Sequence, residues 1–186
     1  MKGTGTAPAS ERAQGPVIKG LHHAAFRCRD SGETRAFYED FLGLPLVEAF
    51  EIRQTMTGRS ANVLHTFFEM GDGSCMAFFE VPGRPFDFKD QHDFDLHIAL
   101  EVEPAELDAK FEEGRARGIE TRGISDHGFI RSIYFHDPNG YVVELSARKQ
   151  QPEQPVEGDR HRAAREALEA WQRTKPDSAS GAPTRI

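Results

Sequence analysis

The stretch GLHHAAFRCRD, residues 20–30, sets two adjacent histidines at the head of an alternating run. With the period of two that a strand imposes, Ala24, Phe26 and Cys28 share one face and His23 takes the other. His22 falls on the packed side, near the strand start. A ring on the open face of a strand is either solvated or a ligand, and one histidine does not decide which. The answer depends on whether the chain supplies matching side chains elsewhere.

The chain repeats itself. LHIALEV, residues 96–102, places Leu96, Ile98, Leu100 and Val102 on one face and His97 with Ala99 on the other. Each strand leads into a helix. In the first copy, Asp30 and Glu33 have N-cap and capping-box spacing, Phe37 and Phe41 recur at i, i+4, and Gly43 stops the helix. In the second, Pro104 suits the first turn, Leu107 and Phe111 form the apolar pair, and Gly118 is the stop. Further strands follow: LVEAFEI, NVLHTFFEM and CMAFFEV around a GDGS turn, then a short strand near Ile119, IRSIYFH and YVVELSA around a DPNG turn. Each half therefore reads β-α-β-β-β, and the fold class is α+β. Two fused modules, 17–83 and 92–148, are expected to form a pseudo-two-fold curved sheet around a cleft.

If a local two-fold relates the modules, His23 meets His97, and Glu80 of FFEV meets Glu144 of VVEL. Two imidazoles and one or two carboxylates make a site for a divalent first-row metal. Two His and one carboxylate with open positions form a facial triad, which suits Fe(II) and oxygen chemistry. Four ionisable groups on inward strand faces are costly to bury without such a partner.

Bulk properties narrow the partners. The 186 residues hold 30 acidic and 23 basic side chains, a net charge of -7, which argues against a nucleic-acid partner. Cys28 and Cys75 belong to no CxxC pair and read as reduced thiols, so a cytoplasmic location is expected. No apolar run approaches the roughly 18 residues of a membrane span, and MKGTGTAPASERAQGP has no signal-like apolar region. Residues 1–16 are expected to be a flexible arm. Residues 149–186 are read as a polar linker, a helix over about 158–174 and a disordered tail. A homodimer is expected, with Trp171 as an anchor on that helix.

At this point LHHAAFRCRDSGETRAFYEDFLGLPL, LHIALEV and SIYFHDPNGYVVEL resemble the vicinal oxygen chelate superfamily, over about residues 18–147. That group includes glyoxalase I, fosfomycin-resistance enzymes, bleomycin-binding proteins and type I extradiol dioxygenases. The segment from His127 to Glu144 is similar to the signature of the ring-cleaving extradiol enzymes, with His127, Ile133, Tyr134, Pro138, Gly140 and Glu144 in order. Ser125 departs from it. The resemblance implies that His23, His97 and Glu144 hold Fe(II), with Mn(II), Ni(II) or Zn(II) as alternatives. It also implies that His127 and Tyr134 handle a small catecholic substrate while dioxygen takes an open position. Tyr134 shares its strand face with Ser132 and His136.

Glu80 complicates this assignment. His23, Glu80, His97 and Glu144 also match, in order, the four-ligand set of glyoxalase-like lyases and isomerases, where Glu80 would be a fourth ligand. A third possibility is a metal-free protein that sequesters a ligand. A fosfomycin-type transferase is disfavoured by the lack of a clear cation-binding loop and serine cluster. His65 faces the cleft with nothing to pair with it, His92 reads as a loop residue, and His22, His136 and His161 are not site candidates.

Overall fold

The computed structural model describes residues 18–149 and 157–175. The chain divides into two units, one ending at Arg148 and the other beginning at Lys149. The expected flexible arm, most of the linker and the tail lie outside the described residues.

The first unit contains two four-stranded sheets. In the first, β1 (His23–Cys28), β2 (Leu46–Gln54), β3 (Ser60–Glu69) and β4 (Cys75–Glu80) are ordered β1-β4-β3-β2. In the second, β5 (His97–Glu101), β6 (Thr121–Asp126), β7 (Ile130–His136) and β8 (Val142–Arg148) are ordered β5-β8-β7-β6. In each, the strand before the helix pairs in parallel with the last strand, and the other pairings are antiparallel. The β-α-β-β-β repeat is therefore present twice. The second strand of the second module starts at Thr121, beyond the expected Ile119.

Helix α1 (Ser31–Arg35) begins where the sequence places it. The Asp30 side chain accepts the Glu33 N–H at 2.8 Å, while Glu33 itself pairs with Arg29. The chain then widens into a π-helical turn, Ala36–Phe41, in which the Leu42 N–H returns to the Phe37 carbonyl at 2.9 Å. Phe37, Tyr38 and Phe41 are all buried there. Helix α2 (Pro104–Ala116) carries Pro104 in its first turn and ends before Gly118, whose φ of 71° relieves the stop.

One core serves both modules. Phe37 and Phe41 of the first pack edge-on against Phe135 of the second, with centroids 6.5 and 5.1 Å away. Cys28, Phe78, Met76, Leu107, Ile133, Val143 and Leu145 complete it. Burying each large apolar side chain contributes about 1.5–3 kcal/mol. The DPNG turn stitches the halves together. Tyr38 Oη donates to Asp137 Oδ2 at 3.1 Å, the Arg29 N–H to Asn139 Oδ1 at 2.8 Å, and Tyr141 Oη to the Arg27 carbonyl at 2.9 Å.

The core-facing residues include Ala24, Phe26 and Cys28 of β1 and Ile98 and Leu100 of β5. The faces bearing His23 and His97 are thus turned away from the shared core, and both rings are exposed. Leu96, expected to pack, precedes β5 and is exposed.

In the second unit, α3 (Glu157–Thr174) occupies the expected span, with Leu168 and Trp171 exposed. No helix among the described residues is long and apolar enough to cross a membrane.

Candidate metal centre

The open face of the second sheet gathers most of the residues singled out in the sequence. Parallel pairing sets Ala99 opposite Glu144, and antiparallel pairing sets Glu144 opposite Tyr134 and Tyr134 opposite Arg122. These four make one row across the sheet. His97, two residues before Ala99, stands on the same face. Its Nε2 lies 3.1 Å from Glu144 Oε2.

Both ends of that pair are held from behind. His97 Nδ1 lies 2.6 Å from the Asp93 carbonyl, which can only accept, so Nδ1 carries the proton. In the neutral ring the Nε2 lone pair then faces a carboxylate oxygen. Two acceptors at that distance require a cation or a proton between them. Ser146 Oγ donates to the other oxygen, Glu144 Oε1, at 2.6 Å. Ser132 Oγ, 3.1 Å from Ser146 Oγ, donates in turn. An imidazole fixed through its remote nitrogen and a carboxylate held by a hydroxyl are the usual outer support of metal ligands. The donor set therefore suits a divalent cation.

Beside this pair, His127 Nε2 is 3.2 Å from Tyr134 Oη. Burial, and then the Glu144 charge, push the Tyr134 hydroxyl above its usual range. The Arg122 guanidinium sits over the Tyr134 ring, 5.5 Å from its centroid, and grips Asp93 with two bonds of 3.0 and 2.6 Å. That pairing raises Arg122 and holds the Asp93 carboxyl below its usual range.

His23 is elsewhere. It stands on the open face of the first sheet, where its neighbours are His22, with the two Nδ1 atoms 2.8 Å apart, and Phe67, at a centroid distance of 5.6 Å. Among the described residues, no three His, Cys, Asp or Glu side chains meet as a metal-binding set. The expected convergence of His23 with His97 and Glu144 does not occur within this chain. The reason is geometric: the modules share the core on their helix-covered faces, which turns the two histidine faces outward.

Glu80 does not join either histidine. Register pairs Cys28 with Glu80, on the helix side of the first sheet, and Glu80 Oε2 accepts the Ser31 N–H at 2.8 Å. Ala77, paired with Ala25, occupies the place that Glu144 holds against Ala99. The similarity of FFEV to VVEL therefore misaligns the two strands.

The rest of the His23 face is aromatic. Phe67, Phe79 and Phe50 surround buried His65, whose ring stacks on Phe79 at 3.7 Å and whose Nδ1 is 2.9 Å from the Phe78 carbonyl. His136 lies 3.1 Å from Glu120, and His92 accepts the Phe94 N–H within a turn. His161 is exposed on α3. Sequence reasoning missed Ser146, Asp93 and Arg122. Ser146 was readable from its alternation with Glu144. The other two meet only because a loop folds back on β6.

The model of the Glyoxalase/Bleomycin resistance protein/Dioxygenase superfamily matches residues 20–145. The chain belongs to this superfamily. A metallothiol transferase FosB of Shouchella clausii is 27% identical over 140 residues, covering 69% of this chain and 80% of its own. Among solved structures, the fosfomycin resistance protein FosX of Listeria monocytogenes, complexed with Mn(II) and sulfate, is 22% identical with a TM-score of 0.55, over 72% of this chain and 95% of its own. A glyoxalase/dioxygenase from Nostoc punctiforme gives 21% and 0.57, over 76% and 100%.

Proposed function

We propose that the protein is a metal-dependent enzyme whose centre forms between two copies of the chain, from His97 and Glu144 of one and His23 of the other. The single observation that carries this reading is the His97–Glu144 pair, 3.1 Å apart, with both outer atoms already held. Among the described residues no third ligand joins the pair, and Ala77 stands where a carboxylate would face His23. Laying the His23 face of one copy on the His97 face of another would answer both needs, and would cover exposed Phe50, which pairs with His65 on the His23 face.

The chemistry that suits this centre best is Fe(II)-dependent extradiol-type cleavage of a small catecholic substrate. With Glu80 turned away, only three protein ligands remain, and positions stay open. Fe(II) would supply a Lewis acid that favours a deprotonated chelating hydroxyl and a redox partner for dioxygen. Tyr134 Oη would hydrogen-bond a substrate oxygen, and His127, 3.2 Å from that hydroxyl, would accept and return a proton through it, Tyr134 taking one from the substrate as it passes its own on. Phe67, Phe79 and Phe50 offer an aromatic ring a wall beside His23. Among the described residues of these two faces, Arg27 is engaged with the Val81 and Arg84 carbonyls, Arg122 with Asp93 and Arg148 with Glu101, an arrangement that suits a neutral aromatic substrate better than an anionic one.

A second reading, metal-dependent transfer of a thiol to a small electrophile, is favoured by the FosB relative. Anaerobic loading with Fe(II), then a catechol panel and air, should consume one dioxygen per ring opened and yield a yellow product. Thiol conjugation of fosfomycin after Mn(II) loading, with no oxygen uptake on any catechol, would select the transferase instead. Tyr134→Phe should lower ring-cleavage turnover by about two orders of magnitude.

A further inference from the structure

The segment between the modules does more than connect them. The Lys89 N–H donates to the Asn139 carbonyl at 2.9 Å and the Gln91 N–H to the Gly140 carbonyl at 3.2 Å. Gly140 permits this approach: a Cβ there would meet Asp90 N at 2.7 Å, and its φ is +87°. From that anchor the chain turns at His92, which accepts the Asp95 N–H through its carbonyl at 2.9 Å. Asp93 thus arrives beside the sheet with two contacts of different kinds. Its carboxylate takes the Arg122 guanidinium from both sides, and its carbonyl takes His97 Nδ1.

We infer that Asp93 and Arg122 form a latch that positions the metal-ligating nitrogen of His97. Arg122 pins the Asp93 side chain, and the pinned carbonyl fixes the His97 ring in its Nδ1–H form with Nε2 toward Glu144. Neither residue touches the metal, so both are positioning residues. This rests on the metal-centre reading above. An ion pair of this kind, with Arg122 partly exposed and Glu120 a further 3.9 Å contact, adds little to global stability. Its effect should therefore appear in His97 and not in the fold. Outer partners of metal ligands commonly change affinity by about 10–100-fold.

The test uses two readouts on the full chain. Long-range ¹H–¹⁵N spectra of the metal-free protein, recorded at alkaline pH where the imidazole is neutral, report the His97 tautomer, and titration with Mn(II) alone reports affinity. Arg122→Ala and Asp93→Ala should each turn a single Nδ1–H tautomer into a mixture and weaken Mn(II) binding by about tenfold or more. Arg122→Lys should fall between, and the double variant should be no worse than either single one. Asp93→Ala separates the latch from the stacking of Arg122 on Tyr134, because it leaves that stacking possible. An unchanged tautomer in both single variants, or undiminished Mn(II) affinity in Asp93→Ala, would overturn the latch. A wild-type protein that binds no divalent metal, whatever its tautomer, would instead overturn the metal-centre reading, and the latch as a metal-positioning device with it.

Discussion

His23 and Glu80 lie on opposite faces of one sheet. His23 pairs with Cys75, and Cys28, five residues on, pairs with Glu80 in the same uninterrupted parallel register. An odd step along a strand reverses the face, so Glu80 points to the helices and takes up the Ser31 N–H.

Metal titration of single variants follows from that relationship. Glu80→Ala should leave Mn(II) or Fe(II) affinity unchanged and cost about 1 kcal/mol of stability, because it strips an acceptor from the start of α1. His97→Ala and Glu144→Ala should abolish tight binding in calorimetry. A large affinity loss in Glu80→Ala would place it among the ligands.

A ligand set divided between copies predicts complementation. His23→Ala and His97→Ala homodimers should both be inactive. Co-purified heterodimers carrying one of each retain one intact site, formed by His97 and Glu144 of the first variant and His23 of the second. Differentially tagged heterodimers should therefore recover metal binding and turnover. Ligands drawn from a single chain would give no recovery.

Gly114 marks where α2 touches the sheet. A Cβ there would lie 2.6 Å from Thr121 Oγ1 and 2.8 Å from Phe135 Cε1. Gly114→Ala raises helix propensity but overpacks this contact, and the second effect should win. Chemical denaturation should show a loss of about 1–3 kcal/mol.

Asp137 links acidity to the joint between modules. Its Oδ1 accepts the Asn139 and Tyr141 N–H groups, and its Oδ2 accepts Tyr38 Oη and Asn139 Nδ2. Burial raises its carboxyl above the ordinary range, despite those donors. The folded state therefore binds this proton more readily than the unfolded chain, and the associated stability is fully present below the unfolded value and lost as pH rises through the folded one. Asp137→Asn removes that linkage and turns an amide NH₂ toward two donors. It should cost about 1–3 kcal/mol at neutral pH. The wild-type advantage over the variant should widen on acidification through the window between the two values, measured by urea unfolding at several pH values.

The strands, the helix starts at Asp30 and Pro104 and the stops at Gly43 and Gly118 were legible because local rules govern them: alternation, capping and backbone freedom. Alternation also assigned His23, His97 and Tyr134 to open faces. It could not align Glu144 with its counterpart, since FFEV and VVEL look alike while hydrogen-bond register matches Glu144 to Ala77. The Asp93–Arg122 contact was equally unreadable, because it depends on a loop anchored at Gly140 and on the path of β6.

The amino-acid sequence by itself determined two β-α-β-β-β modules and a histidine at the head of each, because periodicity and capping act over a few residues. Tertiary structure alone decided which faces meet. The aromatic core formed by Phe37, Phe41 and Phe135 draws the helix-covered faces together and leaves His23 apart from the His97–Glu144 pair. Burial of apolar surface is non-directional, and no local pattern encodes how it joins one module to the next.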